Sequence, residues 1–242
     1  MTGEHGSLPR QRALALVDAE RGDGTPGVAG VLDRLCRAMT SDLSLTGATV
    51  TLIPDVGSHT VAAASSPEVR RTEELQFDAG EGPTRHAFHT GQPVVLAELD
   101  SSLARWPGYI PAAIASGVSA LISLPLLVGA STLGALSLYW KDPPGPTLDA
   151  LRTALVFADL ATELLIDDSY SAEGALDAGL HSALDTHGHI YQAQGMVMVE
   201  LGVGLPEALA RMRAHAYATG QDLGDVASQI ICAESVLRRD PP

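Results

Sequence analysis

Between Trp106 and Trp140 the chain carries no aspartate, glutamate, lysine or arginine, and no other feature restricts its fold so strongly. A charge-free run of this length either crosses a bilayer or fills the middle of a protein core. Pro111, Gly117, Pro125, Gly129 and Gly134 interrupt it, and residues of that kind break a continuous apolar helix. Its second half therefore reads as two apolar strands, 120–128 and 132–140, joined by a turn at Gly129. No membrane span is expected.

The flanking sequence supplies covering helices. Residues 8–20 suit a short amphipathic helix and 21–27, rich in glycine and closed by Pro26 and Gly27, a linker. Leu32, Leu35, Met39 and Leu43 recur at steps of three and four, the period of a helix face. The β-leaning runs 48–53 and 60–64 flank a Pro54 to Ser58 segment with the composition of a hairpin turn. A polar helical piece follows at 67–75, then a turn at 80–83, a short helix to 90, a strand at 93–99, a loop at 100–107 and a helix to 116. After the two apolar strands comes a long striped helix, 148–166. Strands in the middle with helices on either side point to an antiparallel α+β sheet covered by helices. The acidic pairs Glu73 with Glu74 and Asp167 with Asp168 read as solvated helix surface.

The C-terminal part changes character and becomes all helical. Ile190, Ala193, Val197 and Leu201 line one helix face. Pro206 suits the first position of a second helix, because its missing donor would be unpaired there anyway, and Ala208, Leu209, Met212 and Ala216 form its stripe. Gly220 stops that helix, Asp222 caps the next, and Leu223, Val226, Ala227, Ile230 and Ile231 complete a miniature core. Leu176, Leu180, Ala183, His187, Ile190, Gln194, Val197 and Leu201 follow alternating four- and three-residue steps, which predicts a coiled-coil seam and a homodimer. Gly195, inside a helix, is expected to pack tightly against a neighbour. The polar segment 167–174, ending in Gly174, predicts a hinge.

Charge and motif content narrow the function. With 29 acidic against 15 basic residues the net charge is −14, which opposes a broad electrostatic grip on nucleic acid. Cys36 and Cys232 have neither the number nor the spacing of a disulfide framework or a zinc site, and the N-terminus lacks the layout of a secretion signal, so a cytoplasmic location is expected. His86 and His89 stand three apart near Glu81, and His181, His187 and His189 also cluster, yet neither set is expected to bind a metal. A lysine-bearing phosphate loop, a Gly-x-Ser-x-Gly elbow and a His-Glu-x-x-His pair are all lacking, so no catalytic residue is assigned and an enzyme is not expected.

Two family resemblances rest on these residues. Ala193, Gly195 and Met198, then Pro206 to Leu209, Arg211 and Arg213, then Leu223 to Ala227 resemble, over 184–234, an ANTAR module. Gly80 to Pro83, Gly91 to Val94, Arg105 to Pro107, Gly117 and Val118, Leu124 to Leu126, and Leu133 to Leu136 resemble a GAF domain of the kind fused to ANTAR modules in actinobacteria. The resemblance implies a linker-helix segment at 1–27, a GAF sensor at 28–166, a connecting helix at 167–183 and an RNA-binding module at 184–236. It further implies antitermination through a hairpin in a nascent transcript. His187, Gln194 and Gly224 fall where members often carry a basic residue. The RNA contacts would then be Gln192, Gln194, Arg211, Arg213 and Tyr217, through hydrogen bonds and stacking on unpaired bases. A GAF fold also implies a cavity for a small ligand, walled here by Phe77, Phe88, Trp106, Tyr109 and Leu124, although these large side chains would equally fill a core. The signature of cyclic-nucleotide-binding members is missing, and neither cysteine suits a bilin or iron–sulfur centre, so no ligand or cofactor is named. The alternative function is a dimeric protein-interaction adaptor whose ANTAR-like helices no longer bind RNA.

Overall fold

Alternation along the charge-free run sets the architecture. In the computed structural model, which describes residues 10–22, 24–25, 27–53, 59–129, 131–142, 145–170 and 187–237, that run forms β4 (Ala120–Val128) and β5 (Ser131–Trp140). Ala120, Ile122, Leu124 and Leu126 point to one face of the sheet and pair across it with Trp140, Leu138, Leu136 and Gly134. Leu121 and Tyr139 point to the other face, as the two-residue period of a strand requires. β1 (Gly47–Leu52) pairs with β5, β2 (Thr60–Ala64) with β1, and β3 (Val94–Leu96) with β4, giving the antiparallel order β2-β1-β5-β4-β3. Gly134 is needed at the β1–β5 crossing, because a Cβ there would stand 1.9 Å from the carbonyl oxygen of Thr51. The strand expected at 93–99 shortens to three residues. Pro93 has no amide to give an edge ladder, and from Leu99 the chain turns into a 3-10 helix, Leu99–Ser102.

Helices α1 (Arg10–Ala19), α2 (Gly27–Asp42) and α6 (Leu148–Tyr170) cover the first face and share its apolar core, including Leu32, Leu35, Met39, Phe157 and Leu160. Helices α3 (Pro67–Ala79), α4 (Pro83–Thr90) and α5 (Ile110–Ala115) cover the second. The Ser66 side chain caps α3 by accepting from the Val69 amide, Pro67 opens it, and Gly80, with φ of 72°, closes it in the left-handed conformation. α3 thus runs a full turn past the expected residue 75, and that turn carries Gln76 and Phe77, both fully buried. α6 likewise passes residue 166 and stays helical to Tyr170, so the first part of the expected hinge is helix; 171–174 lies outside the described residues.

The C-terminal helices are α7 (Gly188–Leu201), α8 (Leu205–Thr219) and α9 (Leu223–Leu237). Ile190, Ala193, Leu209, Met212, Ala216, Leu223, Val226 and Ala227 form their core, as the spacing predicted, and Phe77 of α3 is packed into it; Val197, from the same expected stripe, is half-buried and Leu201 is exposed. The expected coiled-coil seam is not a free face. His187, Ile190 and Gln194 are buried within the protomer, while Leu176, Leu180 and Ala183 lie outside the described residues. Gly195 also departs from expectation: a Cβ there would meet nothing within 4 Å. Among the described residues no helix is long and apolar enough to cross a membrane.

Candidate functional site

Between the second sheet face and α3 and α4 lies a polar network where an apolar pocket was expected. Its centre is Glu73, fully buried rather than solvated. The α3 register explains this: Val69, Thr72, Glu73, Gln76 and Phe77 are its buried stripe, a helical period that local polarity concealed. Glu73 accepts hydrogen bonds from Thr51 Oγ1 at 3.1 Å, Gln76 Nε2 at 2.9 Å, Thr84 Oγ1 at 3.2 Å and the Tyr139 hydroxyl. Gln76 Oε1 accepts from the Thr84 amide at 2.8 Å, and Thr84 passes the chain to Ser137 and Ser123, with 2.8 Å at each step. Burial raises the pKa of Glu73 to about 7, against these donors, which pull it down. His59 Nε2 is 3.5 Å from Glu73 Oε1, but neither ring nitrogen of His59 makes a hydrogen bond. Burial, then the positive charges of Arg85, His187 and Arg213, holds His59 well below its usual pKa, so the imidazole is neutral and the contact is not an ion pair.

The residues expected to wall one ligand cavity are dispersed. Leu124 is on the opposite sheet face, against the α2 and α6 core, because it shares the parity of Ile122 rather than Leu121. Phe88 is half-buried and its ring meets His89. Trp106 and Tyr109 do pack together with Leu121 and Tyr139. Phe77 turns away from them toward the C-terminal helices. Its ring centroid is 4.2 Å from that of His187 and 6.3 Å from that of Tyr191, and the Arg213 guanidinium lies 5.1 Å from its centroid.

This packing makes a seam between the sheet domain and the three helices. Arg213 Nε donates to the Phe77 carbonyl at 3.0 Å, and the His59 amide donates to the Tyr191 hydroxyl at 3.2 Å. The rest of the Arg213 side chain lies over Gly80, within 3.0–3.2 Å of where a Cβ would stand, so a side chain at the α3 cap would collide with it. Beside the seam opens a cleft of about 410 Å³ lined by Leu75, Asp78 and Pro107 on one side and Arg213, Tyr217 and Asp222 on the other. Burial, then Asp222 and Glu74, raises the pKa of Asp78 to about 7.

The expected RNA contacts divide accordingly. Gln192, Arg211 and Tyr217 are exposed, with Arg211 paired to Glu207 at 2.6 Å. Gln194 is buried and its Nε2 donates to the Leu205 carbonyl at 2.7 Å, tying α7 to the start of α8. It has become a structural link, since an amide placed inward must find a partner. Arg213 is docked on the sheet domain. The seam residues His59, Phe77, Arg85 and Tyr191 were not singled out for it from the sequence. A helical stripe extended one turn past residue 75 would have flagged Phe77; the others had no local signal.

Comparison with known proteins gives both units a family. A family model described as a GAF domain matches residues 26–165, and one described as an ANTAR domain matches residues 178–231. No curated protein matches the chain. Among solved structures, the GAF domain of an Acinetobacter phosphoenolpyruvate-protein phosphotransferase aligns at 15% identity over 69% of this chain and 95% of its own, with a TM-score of 0.51. The corresponding domain from Coxiella burnetii aligns at 15% identity over 65% and 90%, with a TM-score of 0.52. A phycocyanobilin-bound GAF domain from a cyanobacterial phytochrome aligns at 13% over 69% and 100%, also with 0.52. At these identities the likeness is one of fold.

Proposed function

The chain belongs to the GAF family, with an ANTAR module behind the sensor fold, and on that premise we propose that it regulates transcription termination by binding a hairpin in nascent RNA under control of its sensor. ANTAR domains bind RNA, and a sensor can govern such binding only if its states contact the output differently. The observation that carries the reading is the insertion of Phe77, a sensor residue, into the core of the ANTAR helices, where it also holds Arg213. The two units share one hydrophobic cluster, so a change at the α3 end reaches the output directly. In the docked arrangement Arg213 faces the sensor while Gln192, Arg211 and Tyr217 face solvent. Undocking frees a second arginine for phosphate or base contacts. This is regulation by exposure, with no catalytic step.

The test is RNA binding by the full chain and by Phe77→Ala, using RNAs with two adjacent hairpins and a scrambled control. Release of Arg213 should tighten binding of the variant about tenfold, the equivalent of one recovered charge-assisted contact. Equal affinity of the two proteins for hairpin RNA would remove the case for control by docking. An absence of binding by both would instead favour the adaptor reading, to which the net charge of −14 lends weight.

A further inference from the structure

The seam gathers two guanidinium groups and two neutral imidazoles from both domains and leaves several of their nitrogens without a hydrogen bond. On the sensor side stand Arg85 of α4 and His59 just before β2; on the output side stand Arg213 of α8 and His187 at the start of α7. Arg85 Nη1, Arg213 Nη2, His187 Nδ1 and both ring nitrogens of His59 are buried and make no hydrogen bond. His59 is 0% exposed and His187 7%. They are neighbours around one ring: His59 and His187 lie 5.8 Å and 4.2 Å from the Phe77 centroid, with the Arg213 guanidinium at 5.1 Å. The charge of Arg85 falls on both His59 and Arg213. The Tyr191 hydroxyl, which accepts from the His59 amide, keeps its own proton for a further bond. The carboxylates that face the cluster are Glu73, whose Oε1 is 3.5 Å from His59 Nε2, and Asp78, on the cleft side of Arg213.

Buried donors normally find acceptors, and two guanidinium groups brought together without a carboxylate between them repel. A ligand that supplies several acceptor oxygens and negative charge resolves both problems at once. Unpartnered donors from four separate segments suit a tetrahedral oxyanion, and guanidinium groups match phosphate oxygens in pairs. We propose that the seam is an oxyanion site, which takes the phosphoryl group of a small phosphorylated molecule between Arg85 and His59 of the sensor and Arg213 and His187 of the output. The arginines are only half-buried, so the ligand enters on their side, and the imidazoles close the far end. The site itself stands on this geometry. Its meaning as a signal rests on the reading above: an anion held from both units ties them together and keeps Arg213 away from RNA.

The test follows thermal unfolding of the full chain at pH 7.5, in sodium phosphate, in glycerol 2-phosphate and in sodium chloride at matched ionic strength. Selective binding to the folded state should raise the midpoint by about 3 °C at ten times the half-saturating phosphate concentration, and chloride should not reproduce the rise. A rise with both phosphates assigns a phosphomonoester ligand; a rise with inorganic phosphate alone assigns the free ion. The rise should vanish in Arg85→Gln, at a half-buried position, and shrink in His187→Gln, whose Nδ1 makes no hydrogen bond to lose. An equal response to chloride and phosphate, or a full phosphate response in both variants, would overturn the site. Because no RNA is present, this result is independent of whether the output binds RNA.

Discussion

Asp78 shows how one side chain carries the history of a whole interface. In an unfolded chain its carboxyl titrates in the usual aspartate range, whereas at the seam burial, Asp222 and Glu74 raise its pKa to about 7. A raised carboxyl pKa means that the folded state binds the extra proton, so its contribution falls as pH climbs from about 4 to about 7 and is constant above. Glu73, also raised to about 7, acts in the same direction. His59 and His187 are depressed and act oppositely, but only below the ordinary histidine pKa. The two sets therefore overlap, and the clean measurement is a difference between variants. Asp78→Asn should gain stability over the native chain as pH rises from 5 to 8 and show little difference at pH 4, as followed by urea unfolding. A difference independent of pH would place Asp78 in water. The sequence alone placed Glu73 on a solvated polar helix and ended that helix before Asp78; the burial of both came from the partners that α3 meets in space.

At the scale of elements, the periodic stripes were legible and the turns between them mostly so. β4 and β5 lie where the uncharged run put them, and α7, α8 and α9 follow their apolar spacing. What misled was the attempt to infer packing from a single residue type. Gly195 was expected to mark a close approach, yet open space lies where its side chain would be. Gly195→Ala should therefore stabilise α7 by about 0.5–1 kcal/mol, the usual gain for replacing a helical glycine that has no steric task. Chemical unfolding checks this, and a loss of stability would show an unseen neighbour. The seam of the expected coiled coil failed for a related reason. A stripe of apolar residues specifies that a helix face will be covered, but not whether the cover comes from a second chain or from this one.

For the whole molecule, net charge and domain order shape the mode of binding. A protein of charge −14 cannot hold RNA by a broad counterion-releasing surface. If the output engages RNA through Arg211 and a released Arg213, with stacking by Tyr217, about two phosphates are neutralised. The plot of log affinity against log salt should then have a slope of about −1.4, from roughly −0.7 per phosphate on single strands. Filter binding across a salt series measures it, and a slope steeper than about −4 would require a basic surface that these residues do not form.

Composition, period and turn chemistry by themselves determined that this chain builds an antiparallel α+β unit followed by three short helices, because those signals act within a few residues of each other. They also carried the two family resemblances that the comparisons now support. The tertiary structure alone decided which buried residues face each other. It put Leu124 on the opposite sheet face from Tyr109, filled the space beside α3 with a polar network, and turned Phe77 and Arg213 toward one another across 136 residues of sequence. No local pattern encodes such meetings, since they depend on how strands pair and helices dock once distant segments have been brought together.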